Sequence, residues 1–163
     1  MKKFLITVVV TFTTTLLSYG QVSAKGHDVA LEVKNIIELD FVSSLTNPHF
    51  VFNQASDYDN GKTLEQAGTF KVRSNIQWIV DVKTATTFFQ SNNGYQGLSA
   101  SKLSIRKNGE TVFKSLSTTP QVLTTGPRGG FDLNNFQIDY FAAPSYILPG
   151  EYTIDVVFTL SAP

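Results

Sequence analysis

Apolar residues on every second position, stretch after stretch, constrain this chain more than any other feature. The clearest run lies in PGEYTIDVVFTLSAP, residues 149–163, where Tyr152, Ile154, Val156, Phe158 and Leu160 fall on alternate positions. Successive side chains of a strand point to opposite faces, so a period of two marks a strand with one face in a core; a helix would need apolar residues at i, i+3 and i+4. No such helical stripe occurs beyond the first two dozen residues. The alternation predicts strands at 28–34, 36–41, 49–53, 68–74, 76–83, 102–107, 110–116, 120–125 and 136–141, and a last strand running to the C-terminal end. The gaps contain Gly, Asn, Pro or Ser, which make turns or interrupt pairing. About eight to ten short strands in one domain predict an all-β fold, an antiparallel two-sheet sandwich or a barrel, with the sandwich the choice adopted.

Two stretches sharpen this reading. In SKLSIRKNGETVFKSL the pair Asn108-Gly109 sits between two alternating runs, and both residues tolerate the positive φ of a type I′ hairpin turn. In SNIQWIVDVK, Ile76, Trp78, Val80 and Val82 share one face, so Trp78 is read as a core residue whose indole N–H needs an acceptor. Tyr140 and Phe141 are adjacent on one strand, so one of them must leave the core.

The N-terminal end reads as a cleavable export signal over residues 1–24. Lys2 and Lys3 precede an apolar stretch from Phe4 to Leu17, and small residues follow. Cleavage after Gly20 or after Ala24 fits, leaving one domain, residues 25–163 in the second case. The expected location is therefore the periplasm, the cell surface or the extracellular space. The chain has no cysteine, hence no disulfide, and stability must come from packing. Without Lys2 and Lys3, 11 basic residues face 13 acidic ones. That balance gives no electrostatic reason to expect nucleic acid or an anionic membrane surface.

A search for chemistry returns few constellations. There is no thiol, no G-x-S-x-G elbow and no phosphate-cradling glycine loop, and His27 and His49 have no partner at ligand spacing. Glu32, Asp81, Asp139 and Asp155 fall on the polar positions of alternating strands, which reads as a solvated face. DYDNGKT, at 57–63, has alternating oxygen donors but the wrong register for an EF-hand; Asn60-Gly61 reads as a turn with Asp57 or Asp59 bonding local backbone, and a calcium site built from separate loops stays open. No catalytic residue, metal or cofactor is assigned, and the chain is read as non-enzymatic.

The last segment, from Gly150 to Pro163, resembles the C-terminal part of WxL-type surface domains: a Gly-x-Tyr start runs into an alternating strand, with Phe158 where the family has tryptophan. It is also similar to the last strand of fimbrial subunits, in which a glycine precedes alternating apolar residues; Gly150 holds that place. SNxxW and PGxYTxxVxFTL together resemble small exported β-sandwich proteins of the Bacteroidota type. These resemblances imply an Ig-like or fimbrial-like sandwich with a structural or adhesive role, a subunit of a surface filament among the options. An unpaired strand edge accepts a strand from elsewhere. Val29, Leu31 and Val33 have the alternation of a donor strand, and Gly150, Tyr152, Ile154, Val156, Phe158 and Leu160 that of an acceptor. Partners would be copies of the chain or other surface proteins. The alternative is a carbohydrate- or cell-wall-binding module using Tyr95, Phe141 and Tyr146.

Overall fold

A computed structural model describes residues 28–43 and 48–163, and the chain divides after Val33. The export signal and His27 lie outside the described residues. Residues 28–33 carry no regular secondary structure, so the strand expected at 28–34 is absent, and Val29, Leu31 and Val33 are 80%, 87% and 70% exposed.

From residue 34 onward the chain is mostly strand, and all pairing is antiparallel. In order come β1 (Ile37–Ser43), a one-turn helix α1 (Ala55–Asn60), β2 (Lys62–Ser74), β3 (Trp78–Thr84), β4 (Gln90–Ser91), β5 (Leu103–Lys107), β6 (Lys114–Ser115), β7 (Gln121–Gly126), β8 (Asn135–Ala142), β9 (Tyr152–Thr153) and β10 (Val156–Ser161). They form a five-stranded sheet ordered β1-β2-β8-β5-β6, a three-stranded sheet ordered β10-β3-β7, and the small pair β4-β9. One apolar cluster takes side chains from both larger sheets: Phe70, Val72, Ile105, Phe136 and Ile138 from the first, Trp78, Val80, Val82 and Leu123 from the second. Complete burial of such side chains contributes about 1.5–3 kcal/mol each.

Central strands follow the sequence pattern closely. β3 alternates buried and half-buried residues along its whole length, and Trp78 is in the core, its Nε1–H donating to the Pro127 carbonyl at 2.9 Å. Gly126 lies against the indole, and any side chain there would collide with it. The SN of SNxxW also has work to do. The Asn75 carboxamide accepts from the Ile36 amide (2.9 Å) and donates to the Lys34 carbonyl (2.7 Å), fixing the chain just before β1. Of the neighbouring aromatics, Tyr140 is buried and Phe141 is the one displaced from the core.

Four further expectations need correcting. Asp139 is not on a solvated face: it is fully buried. Opposite it β2 bulges between Leu64 and Gly68, and Gln66, at φ 52°, turns its amide onto Asp139 Oδ1 at 2.9 Å. Asn108 Nδ2 reaches the same oxygen at 2.9 Å, and Arg106 Nε donates to Oδ2 at 2.8 Å. Burial alone would raise this carboxyl's pKa, but the three donors outweigh it and hold it below its usual value.

Second, the Asn108-Gly109 turn is not type I′. Gly109 has φ 89° but Asn108 is not in the positive region, and Glu110 N–H closes onto the Lys107 carbonyl, the φ pattern of a type II turn. The Asn108 amide is committed to the Gln137 carbonyl and its side chain to Asp139. Third, the strands expected at 110–116 and 49–53 shrink to Lys114–Ser115 and to nothing. Phe50 and Phe52 lie in a row of rings with Tyr58 instead. Fourth, the last strand is two. Tyr152–Thr153 pairs with Gln90–Ser91, and Val156–Ser161 pairs with β3.

Candidate functional site

Sheets end in strands whose outer backbone groups are available to another chain, and folded proteins blunt such ends with charge, brevity, bulges or cover. The two larger sheets have four end strands: β1, β6, β7 and β10.

Three of them are blunted. β6 is two residues long and begins with Lys114, whose Nζ donates to the carbonyls of Val122 (2.6 Å) and Leu123 (3.2 Å) on β7. The Gln121 carboxamide of β7 returns a bond to the Ser115 carbonyl at 2.8 Å, so polar side chains stitch these two ends together. β7 is further irregular, with a register shift opposite Val80 and Asp81. β1 carries Glu38 and Asp40, and Glu38 lies 3.4 Å from Arg73.

Among the described residues β10 has none of these devices. It runs in unbroken register with β3, from Val156 opposite Thr84 to Ser161 opposite Ile79, and VVFTLS contains no charge, proline or glycine. Among the described residues β3 is its one sheet neighbour. Its inward residues Val156, Phe158 and Leu160, with Ile154 just ahead, pack on the core yet remain half-buried, whereas the equivalent residues of β3 are sealed. Across from it, Phe41 of β1 packs on Phe70 (4.5 Å between centroids) and near Phe158 (6.0 Å), while staying 43% exposed. Gly68 makes room for that ring, since a Cβ there would overlap it.

Gly150 and Tyr152 do a different job from the rest of the acceptor set. Asn93 Nδ2 donates to the Pro149 carbonyl at 2.6 Å and to the Tyr152 hydroxyl at 3.2 Å, and a side chain at Gly150 would strike Asn93. The Tyr152 hydroxyl donates on to the Leu148 carbonyl at 2.7 Å. PGxYT is thus a clasp on the loop after β4, and the free edge begins only at Val156.

The aromatic set Tyr95, Phe141 and Tyr146 is divided among different partners. Tyr95 meets Tyr152 edge-on at 6.3 Å, and Phe141 packs on Phe113 at 5.5 Å. Tyr146, 71% exposed, stacks on Tyr58 at 5.3 Å and donates to Asp59 Oδ1 at 2.8 Å, a bond that raises the phenol's pKa. Asp57 bonds local backbone as expected, accepting from the amides of Asn53 (3.1 Å) and Gln54 (3.3 Å), which hold its pKa down. Among the described residues no three His, Asp or Glu side chains converge in a metal-holding group. No protein-family model matches the chain, and no curated protein matches it.

Proposed function

We propose that this chain is an exported, non-enzymatic structural or adhesive protein whose five- and three-stranded sheets face each other as a β-sandwich, and that it joins a partner strand along β10. Support for the sandwich is the single core fed by both sheets and the contact of Phe70 with Phe158 at 4.6 Å. Support for export is the signal-like sequence of residues 1–24.

The observation that carries the assembly reading is the contrast among the end strands: among the described residues only β10 is regular, uncharged and unstitched. Strand addition takes its affinity from backbone hydrogen bonds and its specificity from alternate side chains. Val29, Leu31 and Val33 offer that alternation on a segment with no strand of its own. The partner is then a second copy of the chain, or another surface protein with the same pattern.

Sedimentation of the mature protein over a wide concentration range tests this. Assembly that grows with concentration is expected, and two sets of changes should abolish it without unfolding: Val157→Lys with Thr159→Lys on the acceptor, and Val29→Ser, Leu31→Ser and Val33→Ser on the donor. A monomer at every concentration refutes assembly with itself. Oligomers indifferent to both sets refute β10 as the edge.

A further inference from the structure

An open depression of about 610 Å³ lies beside the segment that follows β3. Its chemistry is uniform. The side chains that line it are hydroxyl, carboxamide, aromatic or small, and none is ionisable. The side chains of Thr87, Gln90, Gln96 and Thr118 present polar atoms that make no hydrogen bond within the described residues, and Phe88, 49% exposed, adds an apolar ring.

The walls are held while those groups stay uncommitted. Backbone bonds run from Thr84 N to Ser117 O (2.8 Å), Ala85 N to Asp155 O (3.0 Å), Phe89 N to Leu98 O (2.9 Å) and Ala100 N to Thr87 O (2.8 Å). Thr86 donates to the Phe88 carbonyl at 2.8 Å, Ser91 to the Tyr95 carbonyl at 2.5 Å, and the Asn93 clasp ties the far side to Pro149 and Tyr152. A ligand therefore meets a wall already in place, which lowers the ordering cost of binding.

We propose that this cleft binds a neutral saccharide. Hydroxyls and carboxamides both donate and accept, as sugar hydroxyls do, so they can pair in either sense. An exposed ring suits the apolar C–H face of a pyranose. An anionic ligand such as a phosphate or uronate would call for Arg, Lys or a cluster of amides, and a cation for carboxylates; the lining has neither charged type. No residue of β10 lines the site, and the proposal does not depend on the assembly reading.

The test is a panel of immobilised glycans, neutral (glucans, mannans, xylans, galactans) and acidic (uronate and sulfated polymers), followed by calorimetry with soluble oligosaccharides of any neutral hit. Binding to at least one neutral glycan is expected, with affinity reduced at least tenfold by Phe88→Ala and severalfold by Gln90→Ala with Gln96→Ala. Tyr146→Ala should leave it unchanged. These residues are exposed, so circular dichroism should show each variant folded. Retention by the soluble oligosaccharide as well as the polymer assigns a site for short sugars; retention by the polymer alone, still lost in Phe88→Ala, assigns the same site to an extended chain. No neutral glycan bound at millimolar concentration, a preference for acidic glycans, or binding lost through Tyr146→Ala but not Phe88→Ala would overturn the proposal.

Discussion

The two ends of the larger sheets are built on different principles. At the β6-β7 end, Lys114 and Gln121 cross from one sheet to the other and satisfy three carbonyls. At the β1-β10 end the sheets meet through rings, Phe41, Phe70 and Phe158, and both Phe41 and Phe158 keep part of their surface in water. Polar stitching fixes a boundary because each donor has one geometry, whereas a partly exposed apolar seam can be covered further with no bond broken. The closed end is finished by polar bonds, and the open end, among the described residues, by partly exposed rings.

The largest expected effect comes from the network between these two ends, in the middle of the five-stranded sheet. Asp139→Ala leaves Arg106 and the Gln66 amide without their acceptor, and should cost about 3–5 kcal/mol in urea unfolding. A loss under 1 kcal/mol would mean that the bulge does not depend on this carboxylate. The same group sets a pH dependence. Because its folded pKa lies below the ordinary 3.8, the unfolded chain takes up the proton first. Its contribution is therefore complete above that value and is lost as pH falls through the folded pKa. Urea midpoints measured from pH 6 downward should decline in the wild type, and the part of that slope due to Asp139 should vanish in Asp139→Asn.

Paired truncations then compare the two situations of the same side chain. Phe70→Ala, at a fully buried ring, should cost about 3–5 kcal/mol, and Phe158→Ala on the open edge about half as much. Equal costs would mean that the open edge holds its ring as firmly as the core does. Lys114→Met, which keeps the stem and removes the donor, should cost about 1 kcal/mol at the closed end. The smallest change has the opposite sign. Among the described residues Thr84 Oγ1 is buried without a hydrogen-bond partner, so Thr84→Val should be neutral or stabilising by up to about 1 kcal/mol, read from the thermal midpoint.

How much of this was legible beforehand follows from what alternation can encode. It located β3, β5, β7 and β8, and it placed Trp78 in the core, because the apolar residues of these strands that feed the core keep that period. It could not distinguish one strand from two at residues 149–160. Tyr152 and Val156 keep the same phase although their partners differ. Nor could it reveal Asp139, whose polar position is covered by a bulge dozens of residues away. The same blindness applies to 28–34, where alternation is present and no strand forms. The end strands were hidden as well, since which strand lies outermost depends on sheet order, and the hydrophobic pattern carries none. Of the residues singled out for function, the sequence grouped Gly150 and Tyr152 with the edge they precede. The lining of the neutral cleft passed unnoticed, being composed of ordinary loop residues.

The bulge in β2 has one more consequence. Between Leu64 and Gly68 the strand advances four positions while β8, from Tyr140 to Ile138, advances two. An even surplus leaves inside and outside unchanged on both flanks, and so the interruption is silent in the hydrophobic pattern. It also makes the segment unequally tolerant of length change. Loss of a single residue from 65–67 would exchange the faces of everything on one side of it. Loss of two would restore a plain ladder, both faces intact, with Asp139 left to its remaining donors.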